Sequence, residues 1–116
     1  MKSQILDGIP TILCEDLNQA NEQDGYLLID VRRPEEFVGE LGHIVGAQLF
    51  TLGPDLSEFL ETCSQDQEII FICRSGARSG QATLLSRELG FQNSFNLGGG
   101  MIRWNALQYK IEKIEK

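Results

Sequence analysis

Cys73 is followed by Arg74-Ser75-Gly76-Ala77-Arg78-Ser79, a set of residue types suited to holding an anion beside a thiol. The four residues before it, Ile69-Ile70-Phe71-Ile72, are β-branched or aromatic and read as a buried strand. After it, Ala82, Leu85 and Leu89 recur at helical spacing and Gly90 supplies a stop, so the pattern predicts a helix over 79–89. A strand, a short loop and a helix in that order can turn the backbone N–H groups of Arg74 to Ser79 toward the sulfur, with the positive end of the helix dipole added to them. An ordinary thiol ionises near ~8.5, and helix N-termini with cationic neighbours lower that value. Arg74 and Arg78 are the cationic neighbours here. A buried inert cysteine leaves two arginines, two serines and a glycine in the next six positions unexplained.

Such a loop needs a scaffold, and apolar runs alternate with helical patterns along the whole chain. Strands are expected over 9–13, 26–29, 47–50, 69–72 and 94–97. Helices are expected on the face marked by Leu13, Leu17 and Ala20, at Pro34-Glu35-Glu36-Phe37, over 55–63 and over 101–106. Strands alternating with helices imply right-handed crossovers and an α/β fold: a five-stranded, mainly parallel sheet flanked by helices on both faces. Ligands of such sheets bind beyond the carboxyl ends of the strands. Cys73 and Asp30 both fall at such ends. A length of 116 residues suits a single domain, 1–116, with its core over about 8–107 and a tail over 108–116 that packs or frays.

Seventeen acidic residues against ten basic ones give a net charge of −7, which argues against nucleic acid and anionic membrane surfaces as partners. It also repels small anions, so Arg74, Arg78 and the loop amides must dominate locally if one binds. No apolar run is long enough to span a bilayer, and the first seven residues lack the apolar region of a secretory signal. A cytoplasmic location is expected. The three cysteines are odd in number and lack the paired spacing of a zinc site, so neither a metal nor a disulfide framework is expected. Cys63 follows Leu56, Phe59 and Leu60 at helical spacing and reads as core filler, whereas Cys14 stands at a helix start before Glu15 and Asp16. Either could serve as a second redox thiol, but neither has cationic neighbours in sequence.

Four separated motifs occur in order: Leu28-Ile29-Asp30-Val31-Arg32-Arg33-Pro34-Glu35-Glu36-Phe37, Gly42-His43-Ile44-Val45-Gly46-Ala47, the Cys73 to Ser79 loop, and Leu97-Gly98-Gly99-Gly100-Met101 with Trp104. Together they resemble the rhodanese-like sulfurtransferase family over about 8–107. The resemblance implies a sheet of five mostly parallel strands and a cysteine that carries sulfane sulfur as a persulfide, with no other cofactor. Carried over by position, Cys73 is the nucleophile, and Arg74, Ser75, Gly76, Ala77, Arg78 and Ser79 cradle the substrate and persulfide. Asp30 faces the loop, either as an acid that anchors the loop arginines or as a proton carrier. Arg32 or Arg33 adds positive charge at the entrance or stands solvated. His43 is chiefly a structural hydrogen-bonding residue, since a low-pKa thiolate needs no base. Met101 and Trp104 read as core, and the three glycines as allowance for close backbone approach. Two departures from the family pattern are Val45, where many members have proline, and Gly39-Glu40-Leu41, which lengthens the segment before His43.

The implied reaction is a double displacement. The Cys73 thiolate attacks the outer sulfur of thiosulfate or a similar small anion, sulfite leaves, and a thiol, a redox protein or cyanide accepts the sulfur. The alternatives are a sulfur relay between protein thiols, a non-catalytic binding module, and a cysteine phosphatase or arsenate reductase. Non-catalytic modules often lack the loop cysteine. Related phosphatases have a longer loop than the four residues that separate Cys73 from Arg78.

Overall fold

The computed structural model of the chain describes residues 1–20 and 25–114. The central sheet runs in the order β1 (Gln4–Leu6), β2 (Ile9–Leu13), β7 (Ser94–Gly98), β6 (Ile69–Ile72), β3 (Leu27–Asp30) and β5 (Gln48–Leu49). The strands from β2 to β5 are all parallel, as their alternation with helices predicts. β1 is an addition at the edge, antiparallel to β2 across Asp7-Gly8, whose φ angles of 51° and 78° suit a two-residue primed turn. Asp-Gly is its sequence signal, but three exposed residues are too short a run to show alternation. A second sheet pairs β4 (His43–Ile44) antiparallel with β8 (Ile111–Glu112), which brings the tail against the segment after α2 (Pro34–Phe37). Residues 115 and 116 of that tail lie outside the described residues.

Helices α1 (Cys14–Asn18) and α5 (Gly100–Ala106) pack with one apolar cluster, and α3 (Pro54–Glu61) and α4 (Ala77–Glu88) with the other. The two-residue period of β6 divides its side chains between them. Ile70 and Ile72 join Ile12, Leu97, Met101 and Trp104, while Ile69, Phe71 and Cys73 join Leu56, Leu60 and Ala82. The cysteine therefore leaves its strand on the α3/α4 side. Among the described residues no helix is long and apolar enough to cross a membrane.

Helix α4 departs from its expected form. It starts at Ala77 rather than Ser79, and it buries Ser79, Gly80, Ala82, Thr83 and Ser86 while Leu84 and Leu89 are exposed. Small side chains allow the helix to approach the sheet closely: a Cβ on Gly80 would lie 3.0 Å from Ile9 Cδ1. Two of the buried hydroxyls bond back to the helix, Thr83 Oγ1 donating to Ser79 O and Ser86 Oγ to Thr83 O, each at 2.8 Å.

At the end of β3 a charged pair is enclosed. Arg32 donates to Asp30 through Nε at 2.9 Å and Nη2 at 2.8 Å, and Nη2 also donates to Gly42 O at 2.7 Å. Asp30 and Arg32 are 0% and 1% exposed. Removing one partner strands a buried charge, so Arg32→Leu is expected to lower unfolding stability by about 3–5 kcal/mol, read from the urea midpoint at constant slope.

Candidate active site

Gly76, at φ 103°, lets the chain reverse from β6 into α4 where a side chain would be strained. Its N–H donates to Cys73 Sγ at 3.0 Å, and Ser79 Oγ lies 3.2 Å from the same sulfur. The backbone amides of Ser75 and Ser79 also favour its ionised form. Burial on its own pushes the thiol up, but the Ser79 hydroxyl and the three amides outweigh burial and bring it below its ordinary value.

The Ser75 amide that favours the thiolate shares its peptide plane with Arg74 O, which turns outward beside Cys73 O. Cys73 O and Arg74 O accept from the N–H groups of Met101 and Ile102 at 2.9 and 3.0 Å, which are orphan donors in the first turn of α5. A Cβ on Gly100 would lie 2.6 Å from both carbonyl oxygens, so glycine is required where α5 meets the loop. Asn96 of β7 completes the back of the site. Its Nδ2 donates to Gly76 O at 3.1 Å, and its Oδ1 meets the Ser79 hydroxyl. Sequence reasoning passed over Asn96, whose only signal is an amide inside an apolar strand pattern.

The other expected site residues are placed less simply. Arg78 does not point a free guanidinium at the loop: Nη1 and Nη2 bind both carboxylate oxygens of Glu36 at 2.7 and 2.9 Å. The Arg78 guanidinium holds Glu36 well below the usual carboxylate range, at about 2. Glu36 also accepts from the Arg33 backbone N–H at 3.2 Å, which caps α2, while its pair with Arg78 ties α2 to α4. Asp30 anchors Arg32 and neither loop arginine, because the nearest cation to its enclosed carboxylate is two residues along the same chain. Arg32 is accordingly buried, which corrects the expectation of an entrance or solvated charge. Arg33, Arg74, Ser75 and Ala77 are exposed. His43 is buried with its ring stacked on Phe37 at 3.6 Å, and its Nδ1–H donates to Phe37 O at 2.7 Å.

Beside the loop, Glu35, Glu36, Glu40, Leu41, Arg74 and the buried Arg32 help to line a cleft of about 350 Å³. The lengthened Gly39-Glu40-Leu41 segment forms part of its wall. A separate cavity of about 400 Å³, lined by Tyr26, Leu28, Ile44 and Trp104, contains none of the loop residues. All three cysteines are free. Burial and then the neighbouring Glu15 push Cys14 up to about 11, and burial also raises Cys63. No group of three or more His, Cys, Asp or Glu among the described residues could hold a metal ion.

The profile of the rhodanese-like domain matches residues 13–107 of this chain. The chain belongs to the rhodanese-like family. It is 41% identical over 96 residues to the putative sulfurtransferase YtwF of Bacillus subtilis, covering 83% of this chain and 87% of YtwF. To the putative sulfur carrier protein YrkF of Bacillus subtilis it is 33% identical over 103 residues, covering 88% of this chain and 54% of YrkF. The chain thus spans about half the length of YrkF, and 51% of a relative from Synechocystis. The crystal structure of a rhodanese-related protein from Thermoplasma volcanium aligns with a TM-score of 0.72 at 26% identity, covering 90% of this chain and 98% of that one.

In this rhodanese-like chain the hydrogen bonds to sulfur, rather than the arginines, do most to lower the thiol. Ser79→Ala removes a donor that favours the thiolate, so the Cys73 pKa should rise. The midpoint of iodoacetamide alkylation at Cys73, followed by peptide mass against pH, should move up by about half a unit. Arg74→Ala removes no hydrogen bond to the sulfur and should move it less.

Proposed function

We propose that the chain is a sulfurtransferase in which Cys73 takes a sulfane sulfur from thiosulfate or a related small anion and passes it to a thiol or cyanide acceptor. The carrying observation is a single sulfur surrounded by the Ser75, Gly76 and Ser79 amides and the Ser79 hydroxyl, with its pKa lowered. The thiolate attacks the outer sulfur of the donor. A new S–S bond forms to Cys73, the donor S–S bond breaks, and its electron pair leaves with sulfite. Fixed donors aimed at the site stabilise the anionic persulfide without reorganisation, an effect worth about 3–4 kcal/mol for one donor in comparable anion holes. An acceptor thiolate then attacks the terminal sulfur and Cys73 departs as thiolate. No cofactor beyond the covalent sulfur enters this reading. A cytoplasmic location belongs to it, since three free cysteines suit a reducing compartment.

Phosphatase chemistry is poorly supported because it needs a guanidinium free to bind phosphoryl oxygens, and Arg78 is committed to Glu36. A protein-to-protein sulfur relay has one observation in its favour. Glu35, Glu36 and Glu40 line the cleft with the exposed Arg74 and with Arg32, whose charge is already paired with Asp30, in a chain with a net charge of −7, which disfavours a small dianion more than a protein thiol. The name of YrkF, a putative sulfur carrier protein, is in keeping with that reading.

Reduced protein incubated with thiosulfate should gain about one sulfur mass in intact mass spectrometry. The gain should disappear with dithiothreitol and be absent in Cys73→Ser. An adduct formed from a persulfidated protein but never from thiosulfate would replace the small-anion donor with the relay. Glu36→Gln should release Arg78 toward the donor and lower the KM for thiosulfate by about 2–5-fold, measured from initial rates of sulfite release.

A further inference from the structure

The Ser79 hydroxyl has one proton and two acceptors within reach, Cys73 Sγ at 3.2 Å and Asn96 Oδ1 at 2.5 Å. All three residues are buried. The orientation of the Asn96 amide follows from its partners. Nδ2 faces a carbonyl, Gly76 O, at 3.1 Å, so Oδ1 must face Ser79, and the Ser79 hydroxyl is the donor there. We propose that Asn96 is a positioning residue that competes with Cys73 for the Ser79 proton and thereby holds back ionisation of the thiol.

In the thiol form the three groups make one chain: Cys73 S–H donates to Ser79 Oγ, and Ser79 O–H donates to Asn96 Oδ1. When the thiol proton leaves for solvent, the sulfur becomes the stronger acceptor and the hydroxyl rotates onto it. No heavy atom has to move. Asn96 Oδ1 then loses its donor in a buried setting, a cost that opposes ionisation. The loop amides favour the thiolate, and Asn96 sets the limit on how far they succeed. On the sulfur-transfer reading, which this inference deepens, Cys73 both attacks and leaves. A thiol of very low pKa leaves well but attacks poorly, so a restrained value serves both steps.

Ionisable groups on the surrounding elements are Arg74 and Arg78 from the loop and α4, Arg87 and the exposed Glu88 further along α4, with Arg87 bonded to Ser94 of β7, Glu36 from α2, and the Asp30–Arg32 pair at the end of β3. Cys14 lies near Gly98 and Gly100, and Glu15 pairs with Arg103 of α5. None of them hydrogen-bonds Ser79 or Asn96 among the described residues.

The test is the pH profile of Cys73 alkylation by iodoacetamide in the full chain, read with no sulfur donor present. It can therefore fail while sulfur transfer stands, and it can succeed if no sulfur is transferred. Asn96→Leu, alone and combined with Ser79→Ala, is compared with the parent. The midpoint should fall by about half a unit or more when Ser79 is present and by less than about 0.2 unit when it is replaced. A rise or no change in the first case, or equal shifts in both backgrounds, would overturn the proposal and leave Asn96 as an anchor for Gly76 O. If Asn96→Leu does not fold, Asn96→Asp supplies the reading. Its carboxylate is a stronger acceptor, so the midpoint should rise more with Ser79 than with Ala at that position, and an equal rise in both overturns the proposal.

Discussion

A peptide plane that turns its N–H toward a sulfur turns its carbonyl away from it, and a buried carbonyl needs a donor. The rest of the structure around Cys73 depends on this constraint. Arg74 O, on the far side of the peptide plane that carries the Ser75 N–H, and the neighbouring Cys73 O meet the unpaired N–H groups that open α5, so each end supplies what the other lacks. Gly100 permits that approach because a Cβ would collide with both oxygens. Gly76 O is satisfied by the Gly80 N–H of α4 and the Asn96 amide of β7. The loop is therefore held by three elements, and its amides stay aimed at the sulfur whether or not charge is present.

The positive side chains contribute less than their number suggests, because acids on neighbouring turns neutralise them. Arg32 is enclosed with Asp30, and Arg78 is clasped by Glu36. These pairs brace the site: the first fixes the β3 end to Gly42 O, and the second joins α2 to α4. Glu36 has its native pKa depressed, so its contribution to stability is present at neutral pH and is lost as pH falls from about 4.5 to about 2. The pair is part-exposed, so its contribution is modest.

Local pattern made much of the architecture legible. A wholly apolar Ile69–Ile72 must be a central strand, and the residue after it must lie at the strand's carboxyl end. The helix that follows was harder to read, since α4 hides serine, threonine and glycine and exposes Leu84 and Leu89. Periodicity of apolar residues fails where a helix packs through small side chains against a strand carrying Ser94 and Asn96. The β4–β8 pairing was illegible for another reason: it joins His43 to Glu112, and two-residue strands carry no period.

By itself the sequence determined the parallel scaffold, the position of Cys73 at a strand end and the loop that follows, because hydrophobic period, glycine and dipole effects act over a few residues. Tertiary structure alone decided which groups hold the sulfur and which cations remain free. Asn96 reaches Gly76 and Ser79, and Glu36 reaches Arg78, only after strands and helices distant in sequence are brought side by side. Hydrogen bonds and ion pairs depend on distances of a few ångströms, and those distances are set by packing rather than by spacing along the chain.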